Sequence, residues 1–168
     1  KAIKSKLDTY HKNGSLTHPI WDRLVFSKIQ SALGGHVRFM VTGSAPISTE
    51  VKEFLKICFS CPIFEGYGQT ENCAAATLTN KYDITAGHVG GPVSSCELKL
   101  VDVPELNYLS TDKDENGVNI PRGEICLRGP ILFKGYFKDR VNTEKAIDSE
   151  GWLHTGDIGC ILPNINAL

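Results

Sequence analysis

A short segment in the middle of the chain collects residue types that suit a nucleotide and a magnesium ion. Positions 66–71 read GYGQTE and combine two glycines, an aromatic ring, a hydroxyl group and a carboxylate. Glycine lets a backbone approach a ligand closely, and the Tyr67 ring can stack on a purine. Thr70 can donate to a phosphate oxygen, and Glu71 offers the hard oxygen ligand that Mg²⁺ prefers. For this segment taken alone, an ordinary glycine-rich turn remains the alternative.

A second carboxylate follows a glycine near the end of the chain. Asp157 comes directly after Gly156, at an expected sharp bend between two hydrophobic segments. The two oxygens of an aspartate match the spacing of the vicinal hydroxyls of a ribose and can accept a hydrogen bond from each. The alternative is a turn aspartate that caps its own backbone, which is the commoner use of a Gly-Asp pair.

Composition and charge limit the possible partners. The chain has 168 residues, of which 41% are hydrophobic and 22% charged, so it can form a globular core. Its net charge of −1 gives no general attraction for nucleic acid or a membrane, and we expect no nucleic-acid partner. A bound polyphosphate would need local positive groups or a metal. No apolar run approaches the roughly 20 residues of a membrane span.

The six cysteines are scattered through apolar and strand-like stretches. This distribution favours reduced, buried thiols in an intracellular protein over a disulfide framework. Cys58 and Cys61 form a CxxC pair without a second pair or nearby histidines, so we expect core packing there and not a zinc site.

The first half of the sequence predicts a parallel α/β segment. Apolar spacing predicts a helix over 19–33 that stops at Gly34-Gly35, a strand over 37–41, and a helix from the N-cap Ser48 to about Cys58. A second strand is expected over 62–64. Ligands of parallel sheets bind beyond the carboxyl ends of the strands, so the loops at 43–46 and 66–71 are candidate binding edges.

Beyond Gly87 the sequence predicts a mainly antiparallel β subdomain. Short β-rich runs cover 97–103, 123–128 and 152–162, and a short helix is expected over 143–147. We therefore expect an α/β fold in which residues 1–86 form the parallel part and residues 87–168 the β-rich part of one domain.

Four segments, taken together and in this order, resemble the adenylate-forming (AMP-binding) superfamily. They read TGSAP at 42–46, GYGQTE at 66–71, GEICLRGP at 123–130 and WLHTGD at 152–157. Four more look like its long-chain acyl-CoA synthetase branch: LGGHVR at 33–38, TAGHVG at 85–90, KLVDV at 99–103 followed by Asn107-Tyr108, and FKGY at 133–136. The resemblance runs from about Leu24 to Asn164 and implies part of the large N-terminal domain of such an enzyme.

The resemblance implies an ATP-dependent ligase. A long-chain fatty acid would attack ATP to give acyl-AMP, and coenzyme A would then take the acyl group, with Mg²⁺ as the metal cofactor. By analogy Tyr67 stacks on adenine, Thr70 touches phosphate and Asp157 binds the ribose. Thr70 and Glu71 are the implied catalytic residues, and Glu71 is the implied metal ligand. The implied nucleotide-binding set is Gly43, Ser44, Ala45, Pro46, Glu65, Gly66, Tyr67, Gly68, Gln69, Thr70 and Asp157.

Three other residues in the matching segments have weaker claims. Arg128 could approach phosphate, but we expect a structural ion pair, because most surface arginines serve no site. His154 could be a general base, but an ionised carboxylate needs none, so we expect it to pack or to face solvent. His88 could lie near an acyl or pantetheine channel or be a turn histidine.

The resemblance also leaves features unmatched. The family's phosphate loop with its lysine would precede residue 1, and the hinge and the small C-terminal domain would follow the chain. We therefore expect a fragment that binds ATP weakly and is inactive alone. The alternatives are another adenylate-forming enzyme, such as an aryl-CoA ligase or a peptide-synthetase adenylation domain, and a truncated isoform that binds a partner. The family expectation is peripheral association with the cytoplasmic face of the endoplasmic reticulum or peroxisome.

Overall fold

The computed structural model describes residues 1–81, 83 and 85–163. Two compact units are present, one made of Lys1–Glu65 and Asn80–Gly87, the other of Gly66–Thr79 and the chain from His88 onward. The expected division at residues 86 and 87 stays a prediction. The regular helices and strands are α1 (Ala2–Asn13), α2 (Ser27–Ser31), β1 (Met40–Thr42), α3 (Thr49–Phe59), β2 (Ile63–Tyr67), β3 (Thr77–Leu78), β4 (Gly91–Pro92), β5 (Glu97–Val101), β6 (Arg122–Arg128), α4 (Arg140–Ala146) and β7 (Leu153–Cys160).

Helix α3 begins and ends where its sequence predicts. The Ser48 hydroxyl accepts a hydrogen bond from the Val51 backbone N–H at 3.3 Å, as an N-cap does. Ser60 ends the helix in the left-handed conformation, with φ of 52°. Cys58 and Cys61 are both buried, which confirms that the CxxC pair packs in the core.

The helix expected over 19–33 is shorter and less regular than its apolar spacing suggests. Asp22–Phe26 form a π-helical turn and only Ser27–Ser31 are α-helical. The Asp22 carboxylate accepts from the His18 backbone N–H at 2.8 Å and pairs with buried Lys6, which fixes where the helix begins. Gly34 and Gly35, both at positive φ, form the predicted stop.

Strands β1 and β2 form the predicted parallel pair. Met40 lies opposite Ile63 and Thr42 opposite Glu65. The first strand begins three residues later and ends one residue later than the expected range of 37–41, because Met40 is the first residue that pairs with β2. The parallel α/β part of the predicted fold is confirmed.

Buried lysines hold the first unit together. Lys52 on α3 donates to Glu65 on β2 at 3.0 Å, and only 2% and 6% of the two side chains are exposed. Lys56 donates to the Tyr10 hydroxyl at 3.0 Å and ties α3 to α1. A buried ion must be paired, so each lysine ammonium fixes the position of its partner.

The second unit is antiparallel, as predicted. The end of β2 pairs with β3, and β3 pairs with β4. A separate three-stranded sheet has the order β5-β6-β7, and its core includes Ile125, Leu127 and Leu153. Strand β6 shifts register between Glu124 and Cys126 against β7, which is a β-bulge.

Among the described residues, every helix is too short or too polar to cross a bilayer.

We predict that Lys52→Met destabilises the chain by about 3 kcal/mol, because it breaks a buried ion pair by removing its ammonium group. Urea unfolding followed by circular dichroism measures the change. Lys4→Met, on the exposed side of α1, is the control and should change stability by less than about 0.5 kcal/mol. An equally stable Lys52→Met variant would contradict the structural role of the ion pair.

Three of the six free thiols depart from the expected burial: Cys73 is exposed, and Cys96 and Cys160 are only partly buried. Complete or partial burial raises the pKa of every thiol except Cys73, that of Cys126 to about 11 with a further contribution from the Glu124 carboxylate. Since the thiolate is the nucleophile, we predict that iodoacetamide at pH 8 alkylates Cys73 first. Peptide mass spectrometry over time reads the order, and Cys73→Ser should remove the fast phase. Faster labelling of Cys126 than of Cys73 would contradict the prediction.

Candidate nucleotide site

Two of the sequence segments meet at one carboxylate. The Tyr67 hydroxyl donates to Asp157 Oδ2 at 2.7 Å, and the Gln69 amide donates to the same oxygen at 2.8 Å. Gln69 Nε2 also donates to the Thr155 carbonyl at 2.9 Å. Residues 90 positions apart in the sequence are therefore in direct contact, all of them within the second unit.

The two glycines of the GYGQTE segment suggest a single turn, but the segment does not form one. Gly66 and Tyr67 are the last residues of β2, and only Thr70–Asn72 form a short 3₁₀ turn. Gly68 lies between the two, where its backbone passes so close to Ala74 that a Cβ would stand 2.3 Å from the Ala74 carbonyl carbon. This close approach requires glycine, and it lets the chain leave β2 directly beside the Asp157 carboxylate.

Asp157 lies inside β7, at an irregular position, and not at a bend between two separate segments. Gly156 before it has a φ of 72°, which favours glycine. Its N–H donates to Glu124 Oε1 at 3.0 Å, while the Thr155 hydroxyl donates to the Ile125 carbonyl at 2.7 Å. Bulges often redirect side chains at functional sites, and these two bonds fix the backbone from which Asp157 projects.

The phenol of Tyr67 stays protonated over the physiological pH range. Burial and the hydrogen bond to the Asp157 carboxylate both raise its pKa above the ordinary value of a tyrosine. The hydroxyl therefore remains a donor, and the ring keeps a fixed orientation against the carboxylate.

Glu71 has a tyrosine partner that the sequence reading did not identify. The Tyr136 hydroxyl donates to Glu71 Oε1 at 2.8 Å, and this bond raises the pKa of the Tyr136 phenol. The Phe133 backbone N–H donates to the Glu71 carbonyl at 2.7 Å. In the described part of the chain Glu71 Oε2 receives no hydrogen bond, so one carboxylate oxygen is held and the other is open to a ligand.

The remaining predicted residues lie in the first unit. Gly43, Ser44, Ala45 and Pro46 form an exposed loop after β1, and Ser44 has a φ of 65°. The Glu65 carboxylate is buried against Lys52. Any part that these five residues play in nucleotide binding stays a prediction.

The three residues with weaker claims have clear structural surroundings. Arg128 pairs with Glu97 and lies 4.5 Å from the Trp152 ring centre, so the expected structural role is confirmed. His88 is buried, and its Nδ1 accepts from the Gly90 N–H at 3.1 Å, as a turn histidine does.

His154 is partly exposed, with 34% of its side chain accessible, and it has two carboxylate partners that the sequence did not indicate. Nδ1 lies 2.9 Å from Glu124 Oε2, and Nε2 lies 3.3 Å from Asp148 Oδ2. These carboxylates raise the pKa of the imidazole.

Tyr136 and Glu124 could not be found from sequence spacing, because they lie 65 and 33 residues from Glu71 and Asp157, the site residues that they support. The FKGY resemblance was the one sequence signal for Tyr136.

Comparison with known proteins shows close relatives of one kind. The chain is 56% identical over 151 residues to peroxisomal long chain acyl-CoA synthetase 6 of Arabidopsis thaliana, covering 90% of this chain and 21% of that protein. It is 50% identical over 163 residues to long-chain-fatty-acid–CoA ligase 5 of Rattus norvegicus, covering 97% and 23%. Human long-chain-fatty-acid–CoA ligase 1 is 52% identical over 145 residues, covering 86% and 20%. The chain thus spans about a fifth of the length of these relatives, and the predicted resemblance is confirmed.

Solved structures of adenylation domains share the fold. The A domain of a carboxylic acid reductase from Segniliparus rugosus, solved with AMP and a carboxylic acid, matches with a TM-score of 0.65 and 28% identity over 99% of this chain and 24% of its own. The adenylation domain of a Mycobacterium chelonae carboxylate reductase matches with a TM-score of 0.64 and 28% identity over 98% of this chain and 24% of its own. The predicted fold class is confirmed.

The family description "AMP-binding enzyme" matches residues 14–137, which is well over half of the chain. Together with the Tyr67–Asp157 contact and the adenylation-domain fold, this match shows that the chain belongs to the AMP-binding enzyme family.

Proposed function

We propose that this chain is the nucleotide-binding part of an ATP-dependent long-chain fatty acid–CoA ligase. The observation that carries the proposal is the 2.7 Å bond between Tyr67 and Asp157. It joins an aromatic face suited to adenine with a carboxylate suited to a ribose hydroxyl, and these two parts of a nucleotide are themselves bonded to each other. The relatives named long-chain acyl-CoA synthetases supply the substrate class.

The ribose contact is made through one carboxylate oxygen. Asp157 Oδ2 already accepts from Tyr67 and Gln69, whereas Oδ1 accepts no hydrogen bond in the described part of the chain. Oδ1 is therefore the oxygen that accepts from a ribose hydroxyl. The Tyr67 and Gln69 donors keep the carboxylate in this orientation before the nucleotide arrives, which lowers the entropy cost of binding.

The surroundings of Glu71 fit a magnesium ion. Mg²⁺ in nucleotide enzymes takes one or two carboxylate oxygens and completes its shell with phosphate and water, and Glu71 offers Oε2 while Tyr136 holds Oε1. When bound, the ion supplies neutralisation of charge on the phosphates. Thr70 is exposed in the same 3₁₀ turn, where its hydroxyl can donate to a phosphate oxygen.

The reaction has two steps. A fatty acid carboxylate oxygen bonds to the α-phosphorus of ATP and pyrophosphate leaves; the sulfur of coenzyme A then bonds to the acyl carbon and AMP leaves. The carboxylate is already ionised and needs no base. This agrees with His154, whose two ring nitrogens both face carboxylates and not the nucleotide residues. The residues of this chain contribute binding and orientation, which can lower a barrier by several kcal/mol.

We also propose that the loop at residues 43–46 and Glu65 take part in nucleotide binding, as the family resemblance implies. For location, we propose peripheral attachment to the cytoplasmic face of the peroxisome or endoplasmic reticulum. Two Arabidopsis relatives carry peroxisomal names, which supports the first of these membranes.

A segment exchange tests the function. The matched 163-residue stretch of the rat ligase 5 is replaced by the corresponding residues of this chain. We expect a folded chimera that forms acyl-CoA from long-chain fatty acids in an ATP-dependent manner. A folded chimera without this activity would count against the proposal. A preference for aryl carboxylic acids would favour another adenylate-forming ligase instead.

In the same chimera we predict that Tyr67→Ala raises KM for ATP by about tenfold or more with a smaller effect on kcat, because stacking on a base is worth about 1–3 kcal/mol. Tyr108→Ala is the matched control, because its ring packs on Arg122. Steady-state kinetics at saturating fatty acid gives both constants. An unchanged KM for ATP would contradict the stacking role of Tyr67.

We predict that Tyr136→Phe raises the Mg²⁺ concentration for half-maximal activity by about tenfold, since loss of a group that orients a metal ligand costs about 10–100-fold. Glu71→Gln should have the larger effect and lower kcat itself. Phe137→Leu, at the residue that follows Tyr136 and is 88% exposed, is the control. If Tyr136→Phe left the Mg²⁺ dependence unchanged, the hydroxyl would have no part in holding the metal ligand.

A further inference from the structure

A second cluster of metal-binding residue types lies on β6 and β7, apart from Tyr67 and Glu71. His154 Nδ1 is 2.9 Å from Glu124 Oε2 and 3.4 Å from Cys126 Sγ. Cys126 Sγ is 3.9 Å from the same oxygen of Glu124. The three potential ligand atoms thus surround one point, with Cys126 buried and the other two partly exposed.

The strand pairing places these side chains together. Cys126 is the direct cross-strand partner of His154, and Glu124 precedes Cys126 by two residues. Residues two apart in a strand share a face, so all three side chains stand on the same side of the sheet. Because the cluster is built on two paired strands and not on loops, its geometry is set by the fold.

The spacing of the three atoms suits a small tetrahedral ion. Zinc bonds of about 2.0–2.3 Å to nitrogen, oxygen and sulfur place the ligand atoms about 3.3–3.7 Å apart. The observed separations of 2.9, 3.4 and 3.9 Å bracket that range, so an ion needs shifts of only a few tenths of an ångström.

The groups behind the cluster are those that support a metal ligand. Asp148 Oδ2 lies 3.3 Å from His154 Nε2, and Glu124 Oε1 accepts from the Gly156 N–H at 3.0 Å. A histidine that ligates through one nitrogen almost always donates from the other to a carboxylate or carbonyl. In the neutral tautomer that carries its proton on Nε2 toward Asp148, the imidazole directs the lone pair of Nδ1 at Glu124 Oε2 and Cys126 Sγ.

We propose that Glu124, Cys126 and His154 form a binding site for a zinc-class divalent cation. One sulfur, one imidazole nitrogen and one carboxylate oxygen are the ligand types that zinc combines, and water completes a tetrahedron. A thiol ligand disfavours Mg²⁺ and Ca²⁺, which take oxygen. The Cys126 thiol gives up its proton when the cation binds. This site goes beyond the proposed function and does not depend on it.

Cobalt(II) is the probe that tests the site, since it takes the geometry of zinc and is coloured. The reduced 168-residue chain is titrated with Co²⁺ under nitrogen. We expect a sulfur-to-cobalt charge-transfer band together with the strong visible bands of a tetrahedral ion, and Zn²⁺ should abolish both because it binds such sites more tightly. Failure of the ligase experiments would not affect this result, and the reverse also holds.

Matched variants assign the ligands. Cys126→Ser should remove the charge-transfer band, and His154→Gln should weaken Co²⁺ binding at least about tenfold. Cys73→Ser and Cys160→Ser are controls that remove thiols outside the cluster and should leave the spectrum unchanged. Circular dichroism checks that each variant folds; His154 is partly exposed, so its variant decides the question if Cys126→Ser does not fold. Absence of the charge-transfer band at saturating Co²⁺, or its persistence unchanged in His154→Gln, would overturn the proposal.

Discussion

The pairing of β6 with β7 is the constraint on which both sites depend. It sets Cys126 opposite His154 and, through the register shift after Glu124, leaves Gly156 with its N–H directed at the Glu124 carboxylate. Asp157 follows at once and meets Tyr67 at 2.7 Å. A change of register by one residue would move every side chain of β7 to the other face of the sheet, and both constellations would be lost.

Three carboxylates of the second unit are each hydrogen-bonded to the protein through one of their two oxygens. Asp157, Glu71 and Glu124 each have one oxygen held by a donor of the protein: the Tyr67 and Gln69 side chains, the Tyr136 hydroxyl and the Gly156 N–H, respectively. The second oxygen of Asp157 and of Glu71 has no partner in the described residues, and that of Glu124 faces a histidine. A hydrogen bond to one carboxylate oxygen fixes the orientation of the second oxygen, which stays available to bind a ligand. The groups that hold a binding residue therefore matter almost as much as the residue itself.

Local signals in the sequence were enough for much of the fold. The N-cap Ser48, the glycine stop at 34–35 and the β-rich runs after Gly87 each report on a few neighbouring residues, and each predicted its element to within a few positions. The π-helical turn at Asp22–Phe26 was not predicted from the apolar spacing, and neither was the pairing of Asp22, its first residue, with Lys6, 16 positions away.

The site was predictable in its residue types but not in its connections. Tyr67, Glu71 and Asp157 were named because ring, carboxylate and glycine context suggest a chemistry directly. Tyr136 and Glu124 act through another residue, and nothing in their own sequence neighbourhood shows which one. The pairing of His154 with Glu124 was not predicted for the same reason, since the two residues lie 30 positions apart.

The buried lysines of the first unit bear on how the protein responds to heat. Placing Lys52 and Glu65 out of water costs free energy because both ions lose their hydration. Hydration of ions becomes less favourable as temperature rises, so this cost shrinks on warming while the attraction between the two charges remains. The contribution of the ion pair to the free energy of folding thus becomes more favourable with temperature. The conformational entropy term, in contrast, opposes folding more strongly as temperature rises. At temperatures where the stabilisation by apolar contacts no longer increases, the Lys52–Glu65 pair therefore still holds α3 against β2.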